Sequence, residues 1–204
     1  MIGVDLDNTI VCYDRVFDRL AEEHGVAVDP RKTRKTALRD HFRSLGQEAR
    51  WTELQGIAYG PRIGDAVPFR GVLEFFSRSH ARGTQVAVIS HRTRFPYLGD
   101  RHDLHAAART WLDRQGFHAP DGIALPPDRV FLEVTLEEKL ARIAAAGCTH
   151  FIDDLPEVLA HPLFPAGVQR ILFDPHRMHA PPVGGRAAAS WEEIEQLLSR
   201  EAPS

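Results

Sequence analysis

The sequence is short of the features that mark several classes of protein. It has only two cysteines, Cys12 and Cys148, without metal-site spacing, so two reduced thiols are expected. It has no run of 18 apolar residues, so no transmembrane helix is expected. Its 25 lysines and arginines are outnumbered by 28 acids, which excludes a broadly basic nucleic-acid-binding protein. Its first residues, MIGVDLDNTI, carry acids where a secretory signal carries positive charge, so a cytoplasmic location without membrane partners is predicted.

A length of 204 residues allows one domain, or a core with a small insert. Short apolar runs cover 1–6, 85–89, 149–152 and 169–173, with a weaker run at 129–132. Helical patterns cover 71–82, 104–115, 135–146 and 191–199, and three of them stop at a glycine. Alternating strands and helices predict an α/β protein with a Rossmann-like parallel sheet and helices on both faces.

One segment breaks this alternation. Residues 13–65 are rich in charge, carry mainly helical patterns, and have a turn near Val28, Asp29 and Pro30. We therefore predict a core formed by 1–12 and 66–204, and a small α-helical insert over 13–65 after the first strand. The proline-rich stretches at 118–128 and 161–184 are predicted to be loops.

Two acids, Asp5 and Asp7, directly follow the first apolar run. Ligands of open α/β sheets bind at the carboxyl ends of the strands, so these carboxylates are expected at a site. A pair of this kind can bind a small cation such as Mg²⁺, and a carboxylate can also attack phosphorus. A polar turn is the alternative interpretation, because aspartate and asparagine favour turns.

Three later elements carry further polar residues at their ends. Ser90 follows the second run, and Asp153 with Asp154 follows the third. Lys139 lies early in a predicted helix, where its charge opposes the helix dipole and therefore suggests a specific partner. Taken singly, each has an ordinary interpretation as a turn residue or a solvated lysine. Together they form one ordered set at the edge where a site is expected.

This ordered set resembles the four motifs of the haloacid dehalogenase superfamily. The motifs are matched by Asp5-Leu6-Asp7-Asn8-Thr9, Ser90, Lys139 and Asp153-Asp154, and the resemblance covers 1–12 and about 66–175. It implies that Asp5 is the nucleophile that takes up a phosphoryl group and that Asp7 is the general acid and base. Dehalogenase members lack the second aspartate, so Asp7 favours phosphoryl transfer over carbon–halogen cleavage.

The resemblance also implies a cofactor, Mg²⁺. The ion would be held by the Asp5 carboxylate, the Asp7 backbone carbonyl and Asp153, with Asp154 nearby and acting through water or Lys139. Which of Asp153 and Asp154 is the direct ligand stays open.

A phosphate-binding set follows from the same resemblance. Ser90 and Lys139 would hold the remaining phosphoryl oxygens, and Asn8 and Thr9 belong to the same loop. Thr9 is expected to support that loop through a hydrogen bond rather than to touch the substrate.

The insert lies where family members carry a type 1 cap, which closes over the site and selects the substrate. Some basic residues of the insert could meet an anionic substrate or could simply be solvated. They are Arg31, Lys32, Arg34, Lys35 and Arg62. Arg92, Arg94 and His91 directly follow Ser90 and are candidate substrate contacts. Four aromatic residues, Trp51, Tyr59, Phe69 and Tyr97, could stack on a ligand, although core packing is the stronger expectation.

The function implied is Mg²⁺-dependent hydrolysis of a small phosphomonoester, a nucleotide, sugar or other metabolite phosphate, through a phosphorylated Asp5. Three alternatives stay open: a phosphotransferase or mutase on the same site, a polynucleotide end phosphatase, and a catalytically silent binding module. The charge balance disfavours nucleic acid as a partner. The oligomeric state is not predicted.

Overall fold

A computed structural model describes residues 1–27 and 32–200. The predicted turn at Val28–Pro30 and the candidate Arg31 lie outside the described residues. In chain order the elements are β1 (Ile2–Val4), β2 (Val11–Cys12), α1 (Asp14–Glu23), α2 (Arg34–Ser44), α3 (Glu48–Tyr59), β3 (Val67–Pro68), α4 (Val72–Ala81), β4 (Val86–His91), α5 (Leu104–Arg114), β5 (Val130–Glu133), α6 (Leu136–Ala145), β6 (His150–Asp153), α7 (Pro156–Leu159), β7 (Gln169–Phe173), β8 (Arg186–Ala188) and α8 (Trp191–Ser199). Single 3₁₀ turns cover Ile63–Asp65 and Pro127–Arg129.

Six parallel strands form the main sheet, in the order β5-β4-β1-β6-β7-β8. Val4 of β1 is aligned with Val88 of β4 on one side and with Ile152 of β6 on the other. The chain first builds outward from β1 through β4 and β5, and then returns to build β6, β7 and β8 on the opposite side. The order therefore reverses between β1 and β6, and the carboxyl ends of these two strands border the crevice where such sheets bind ligands.

Helices cover both faces of this sheet, as the sequence predicted. Because successive residues of a strand point to opposite faces, Val86 and Val88 of β4 join one buried cluster, while Ala87 and Ile89 join the other. The first cluster includes apolar residues of α4, α5 and α8. The second includes residues of α6 and α7. The result is a Rossmann-like three-layer α/β fold.

Three helices, α1, α2 and α3, lie between β2 and β3. Those two short strands pair antiparallel, with Val11 opposite Pro68, so the chain leaves the sheet region and returns to it at one point. Phe17 of α1 packs against Trp51 of α3, and both belong to the cluster that also covers the sheet. The division into a core and an insert at residues 12/13 and 65/66 stays a prediction.

The predicted elements agree with the structure except in three places. Strand β8 and the β2–β3 pair were not predicted, because each of these strands is only two or three residues long. The short helix α7 was missed as well. Strand β7 lies where the apolar run at 169–173 predicted it, within the proline-rich stretch 161–184, and its Ile171, Leu172 and Phe173 are buried. Among the described helices, none combines the length and apolar character needed to cross a membrane.

Candidate active site

Three charged side chains meet at the carboxyl ends of β1 and β6. Asp5 follows β1, and its N–H donates to the carbonyl oxygen of Ile152, which keeps it beside Asp153 at the end of β6. Lys139 lies between them, with Nζ 2.7 Å from Oδ1 of Asp5 and 2.6 Å from Oδ2 of Asp153. All three side chains are buried, so their charges interact in a poorly screened environment.

The start of α6 fixes the position of Lys139. Thr135 and Glu138 form a capping box, in which the side chain of each residue accepts a hydrogen bond from the backbone N–H of the other. Burial would lower the pKa of Lys139, but Asp153 and Asp5 outweigh it, and the pKa lies above its usual value. Asp5 and Asp153 are therefore the specific partners that compensate for the unfavourable place of the Lys139 ammonium near the start of a helix.

Asp154 brings a third carboxylate to the same place. Oxygen atoms of Asp5, Asp153 and Asp154 all lie within 4.8 Å of one another. Burial raises the pKa of Asp154 well above its usual value, and Asp153 and Asp5 raise it further. Burial also raises the pKa of Asp5 to about 7, opposed by Lys139 and increased by Asp153 and Asp7. Three hard oxygen donors facing one ammonium fit a small divalent cation such as Mg²⁺.

The loop after β1 turns sharply before β2. The carbonyl oxygen of Leu6 accepts from both Ile10 and Val11, and Asn8 lies at φ 58°, a left-handed conformation that asparagine tolerates well. The predicted hydrogen bond of the Thr9 hydroxyl is absent, because Oγ1 is buried and has no partner among the described residues. Thr9 instead accepts at its backbone oxygen from the indole of Trp191 at 3.3 Å.

Asp7 occupies different surroundings from Asp5. Its Oδ1 accepts from Nη2 of Arg92 at 2.5 Å and from the hydroxyl of Tyr13 at 2.7 Å, and its Oδ2 accepts from Nε of Arg92 at 3.1 Å. Arg92 also donates to the Tyr13 oxygen and to the carbonyl of Leu104. Burial, opposed in part by Arg92, holds the pKa of Tyr13 well above its usual value, so its hydroxyl stays a donor.

The end of β4 carries the other predicted residues. Ser90 is buried in β4, beside β1, and His91 is exposed at the strand end. Arg92, predicted to contact substrate, is buried against Asp7 instead of projecting freely. Arg94 points away: its side chain is 64% exposed and pairs with Asp103 at 3.1 Å.

A cavity of about 210 Å³ opens beside Asp7, between α3 and the segment 91–104. Asp7 and Arg92 line one end, and Gln55, Gly56 and Tyr59 of α3 line the side. Segment 91–104 packs closely on α3, because a Cβ atom at Gly56 would lie 2.8 Å from Cβ of Pro96. Trp51 and Phe69 serve the core, whereas Tyr59 and Tyr97 line the cavity.

Lys35 of α2 lies beside the Tyr59 ring, where Asp154 and Asp7 act on its charge. Its Nζ lies 5.6 Å from the centre of the Tyr59 ring. Burial would lower its pKa, but Tyr59, Asp154 and Asp7 together raise it above the usual value. The three other described basic residues that were candidate substrate contacts form ion pairs with acids of the insert. Lys32 pairs with Asp40, Arg34 with Asp18, and Arg62 with Glu23.

Tyr13 and Gln55 were missed as site residues. Neither belongs to a motif, and each reaches the site only through the packing of α1 and α3. The nearest signal was the position of Tyr13 six residues after Asp7.

The comparisons with known proteins bear on the fold. No family model and no curated protein sequence matches the chain. Solved structures do match. A HAD-hydrolase of Bacillus subtilis bound to magnesium has a TM-score of 0.59 at 12% identity, with 97% of each chain covered. A HAD phosphatase from Thermococcus onnurineus has a TM-score of 0.54 at 13% identity, with 97% of this chain and 96% of that chain covered.

The chain has the fold of the haloacid dehalogenase superfamily. That fold is shared by enzymes of different chemistry. A dehalogenase solved with an intermediate complex also matches, with a TM-score of 0.57, 13% identity, and 96% of this chain and 95% of that chain covered. The likeness therefore shows the fold, and any reaction must be argued from the side chains of the site.

Proposed function

We propose that the chain is a Mg²⁺-dependent phosphomonoesterase that acts through a phosphorylated Asp5. The observation that carries the proposal is the cluster of Asp5, Asp153 and Asp154, whose oxygen atoms lie within 4.8 Å of one another beside Lys139. The cluster lies at the reversal point of the sheet order, which is the usual ligand site of such sheets.

The residues that would hold the metal are the Asp5 and Asp153 carboxylates, with the backbone carbonyl of Asp7 and with Asp154 nearby. When bound, Mg²⁺ would neutralise part of the charge of a phosphate dianion, which a carboxylate nucleophile otherwise repels. Lys139 and Ser90 would contact the phosphoryl oxygens, and Lys35 adds a positive charge from the insert side.

The first half-reaction transfers the phosphoryl group to the protein. A carboxylate oxygen of Asp5 forms a bond to phosphorus, and the bond between phosphorus and the ester oxygen breaks. Asp7 must be protonated at this stage; it donates that proton to the leaving oxygen, so an alcohol departs and Asp7 is left ionised. The contacts of Arg92 and Tyr13 with Asp7 orient its carboxylate for this transfer.

The second half-reaction restores the protein. Asp7, now ionised, accepts a proton from a water molecule, and the water oxygen forms a bond to phosphorus. The bond between phosphorus and Asp5 breaks, and inorganic phosphate leaves. Because this cycle needs an acid that also serves as a base, Asp7 favours a phosphatase over a dehalogenase.

We further propose that the insert, residues 13–65, which carries the helices between β2 and β3, is a small cap over the site. Their contribution to the site is Tyr13 against Asp7, and α3 along the cavity. A cap excludes water from the phosphorylated intermediate and selects the substrate.

The test is hydrolysis of p-nitrophenyl phosphate with and without Mg²⁺. We expect Mg²⁺-dependent release of p-nitrophenol, loss of turnover in Asp5→Asn, and unchanged turnover in the matched surface variant Asp128→Asn. No hydrolysis by the folded protein would overturn the proposal in favour of a silent binding module. Faster transfer to added alcohols than to water would indicate a phosphotransferase instead, and halide release from a haloacid would indicate a dehalogenase.

A further inference from the structure

The cavity beside Asp7 bears on which phosphoester the site accepts, and the inference rests on the proposed function. We propose that the leaving group is an uncharged, hydroxylated alcohol of about the size of one sugar ring, and that the cavity discriminates against leaving groups that carry a carboxylate or a second phosphate.

The position of the cavity identifies it as the leaving-group side. Asp7, which would protonate the leaving oxygen, lines the cavity, whereas Asp5 does not. The phosphoryl group would lie at Asp5, Lys139 and Asp153, outside the cavity lining. What extends from the ester oxygen past Asp7 must therefore occupy the space between α3 and the segment 91–104.

The charge at the cavity is already balanced. Arg92 is the lining residue with a permanent positive charge, and its guanidinium donates to both oxygens of Asp7, to Tyr13 and to the Leu104 carbonyl. Of the neighbouring cations, Arg94 pairs with Asp103, and Lys35 lies behind the cavity wall, 5.6 Å from the centre of the Tyr59 ring, where Asp154 and Asp7 act on its charge. An anion in the cavity would lie beside the Asp7 carboxylate, and Arg92, the lining residue with a permanent positive charge, is already paired with that carboxylate, so the anion would be repelled by Asp7 with no unpaired arginine or lysine among the lining residues.

The other lining groups suit a neutral polyol. Thr52, Gln55 and Thr93 offer hydroxyl and amide groups that can donate and accept. Tyr59 and Tyr97 offer apolar ring faces for C–H surface. The volume of about 210 Å³ lies below the roughly 300–1,000 Å³ of pockets for drug-sized ligands, so a single small ring or a short polyol fills it.

The experiment compares two substrates that differ in one group. Sorbitol 6-phosphate and 6-phosphogluconate are open six-carbon phosphates that end in a hydroxymethyl group and a carboxylate. We expect kcat/KM with Mg²⁺ to be about tenfold higher for sorbitol 6-phosphate, since an unpaired charge beside the Asp7 carboxylate costs about this much. Equal values, or a preference for 6-phosphogluconate, would overturn the inference.

Variants of the cavity wall provide the second arm. Gln55→Lys supplies the missing cation and is expected to shift the ratio toward 6-phosphogluconate by about tenfold. Gln55→Met, of similar length but uncharged, is expected to keep the preference for sorbitol 6-phosphate. His91→Gln, which removes the ionisable imidazole from the cavity lining, is expected to keep this preference as well. If Gln55→Lys fails to fold, Thr52→Lys, one turn away on α3, serves instead. A ratio that Gln55→Lys leaves unchanged would count against the cavity as the leaving-group site.

The two proposals fail in distinguishable ways. Hydrolysis of p-nitrophenyl phosphate with no preference within the matched pair would overturn the inference and leave the proposed function standing. Absence of hydrolysis of every phosphoester would overturn both.

Discussion

Asp5 and Asp7 lie two residues apart, yet the structure gives them opposite surroundings. At Asp5, three carboxylates lie close together and one ammonium contacts two of them, so negative charge is in excess and a cation fits. At Asp7, one carboxylate is matched by one arginine and a phenol, so charge is balanced and the geometry is fixed. Under the proposed function, this difference would let one short loop supply a metal-binding nucleophile and a proton carrier, because the neighbours of each carboxylate set its role.

The largest expected effect comes from removing the cation of the first region. Lys139→Met leaves Asp5 and Asp153 facing each other without an ammonium, and we expect kcat for p-nitrophenyl phosphate to fall by roughly 10²–10³-fold at saturating Mg²⁺. The matched control is Arg78→Met, which removes a surface ion pair with Glu195 and is expected to change kcat less than twofold. Comparable losses in both variants would argue that the ion pair at Asp5 has no catalytic role.

The second region is tested by the dependence on the leaving group. Arg92→Met frees the Asp7 carboxylate, and we expect kcat to fall by roughly 10–100-fold for an alkyl phosphate, whose poor leaving group needs the proton. The loss is expected to be several times smaller for p-nitrophenyl phosphate, which leaves readily without one. Arg92→Lys should recover little, because a lysine cannot bind both carboxylate oxygens. Equal losses on both substrates would assign Arg92 a structural role only.

Metal binding should depend on pH through the first region. The pKa of Asp5 in the metal-free protein is about 7, so below pH 7 a proton competes with the metal for this carboxylate. We expect the apparent affinity for Mg²⁺ to weaken by up to about tenfold from pH 7 to pH 6, and to level off above pH 8. Calorimetric titration at pH 6, 7 and 8 measures this, and Asp5→Asn should reduce the pH dependence and leave the part that comes from Asp154, whose pKa is also raised. An affinity that is constant across this range would contradict the excess of negative charge at Asp5.

The smallest effect is expected where α3 meets the segment 91–104. In Gly56→Ala the new Cβ would lie 2.8 Å from Cβ of Pro96, so the segment must shift. We expect a loss of about 1–3 kcal/mol in the free energy of unfolding and a several-fold rise in KM. Gly64→Ala is the control, because the nearest atom to its added Cβ is 4.0 Å away, and it should change neither quantity appreciably. Denaturant unfolding and steady-state kinetics measure the pair.

The sheet could be predicted from sequence because each long strand has a continuous apolar run. The positions of Asp5 and Asp153 followed from that prediction, since residues that end neighbouring parallel strands lie side by side. Strand β8 could not be found this way, because its RAA sequence carries no apolar run.

The second region was harder to predict because it depends on packing between distant segments. Arg92 was expected to meet substrate from its place after Ser90. Its pairing with Asp7 depends on Tyr13 and Leu104, whose approach no local pattern encodes. The predicted Thr9 hydrogen bond failed for the same reason: the loop packs its hydroxyl where the described residues offer no partner.

The pairing of β2 with β3 has a consequence for how this chain can change over generations. The two strands pair with each other, so the two ends of the helical segment between them are held together whatever the length of that segment. Lengthening a closed excursion costs little additional chain entropy, because the cost grows only with the logarithm of its length. Insertions and substitutions between the two strands can therefore accumulate while the register of β1 and β6 is preserved. Under the proposed function, changes in this segment away from Tyr13 and Lys35 would alter the choice of substrate and leave the acids at the ends of β1 and β6 in place.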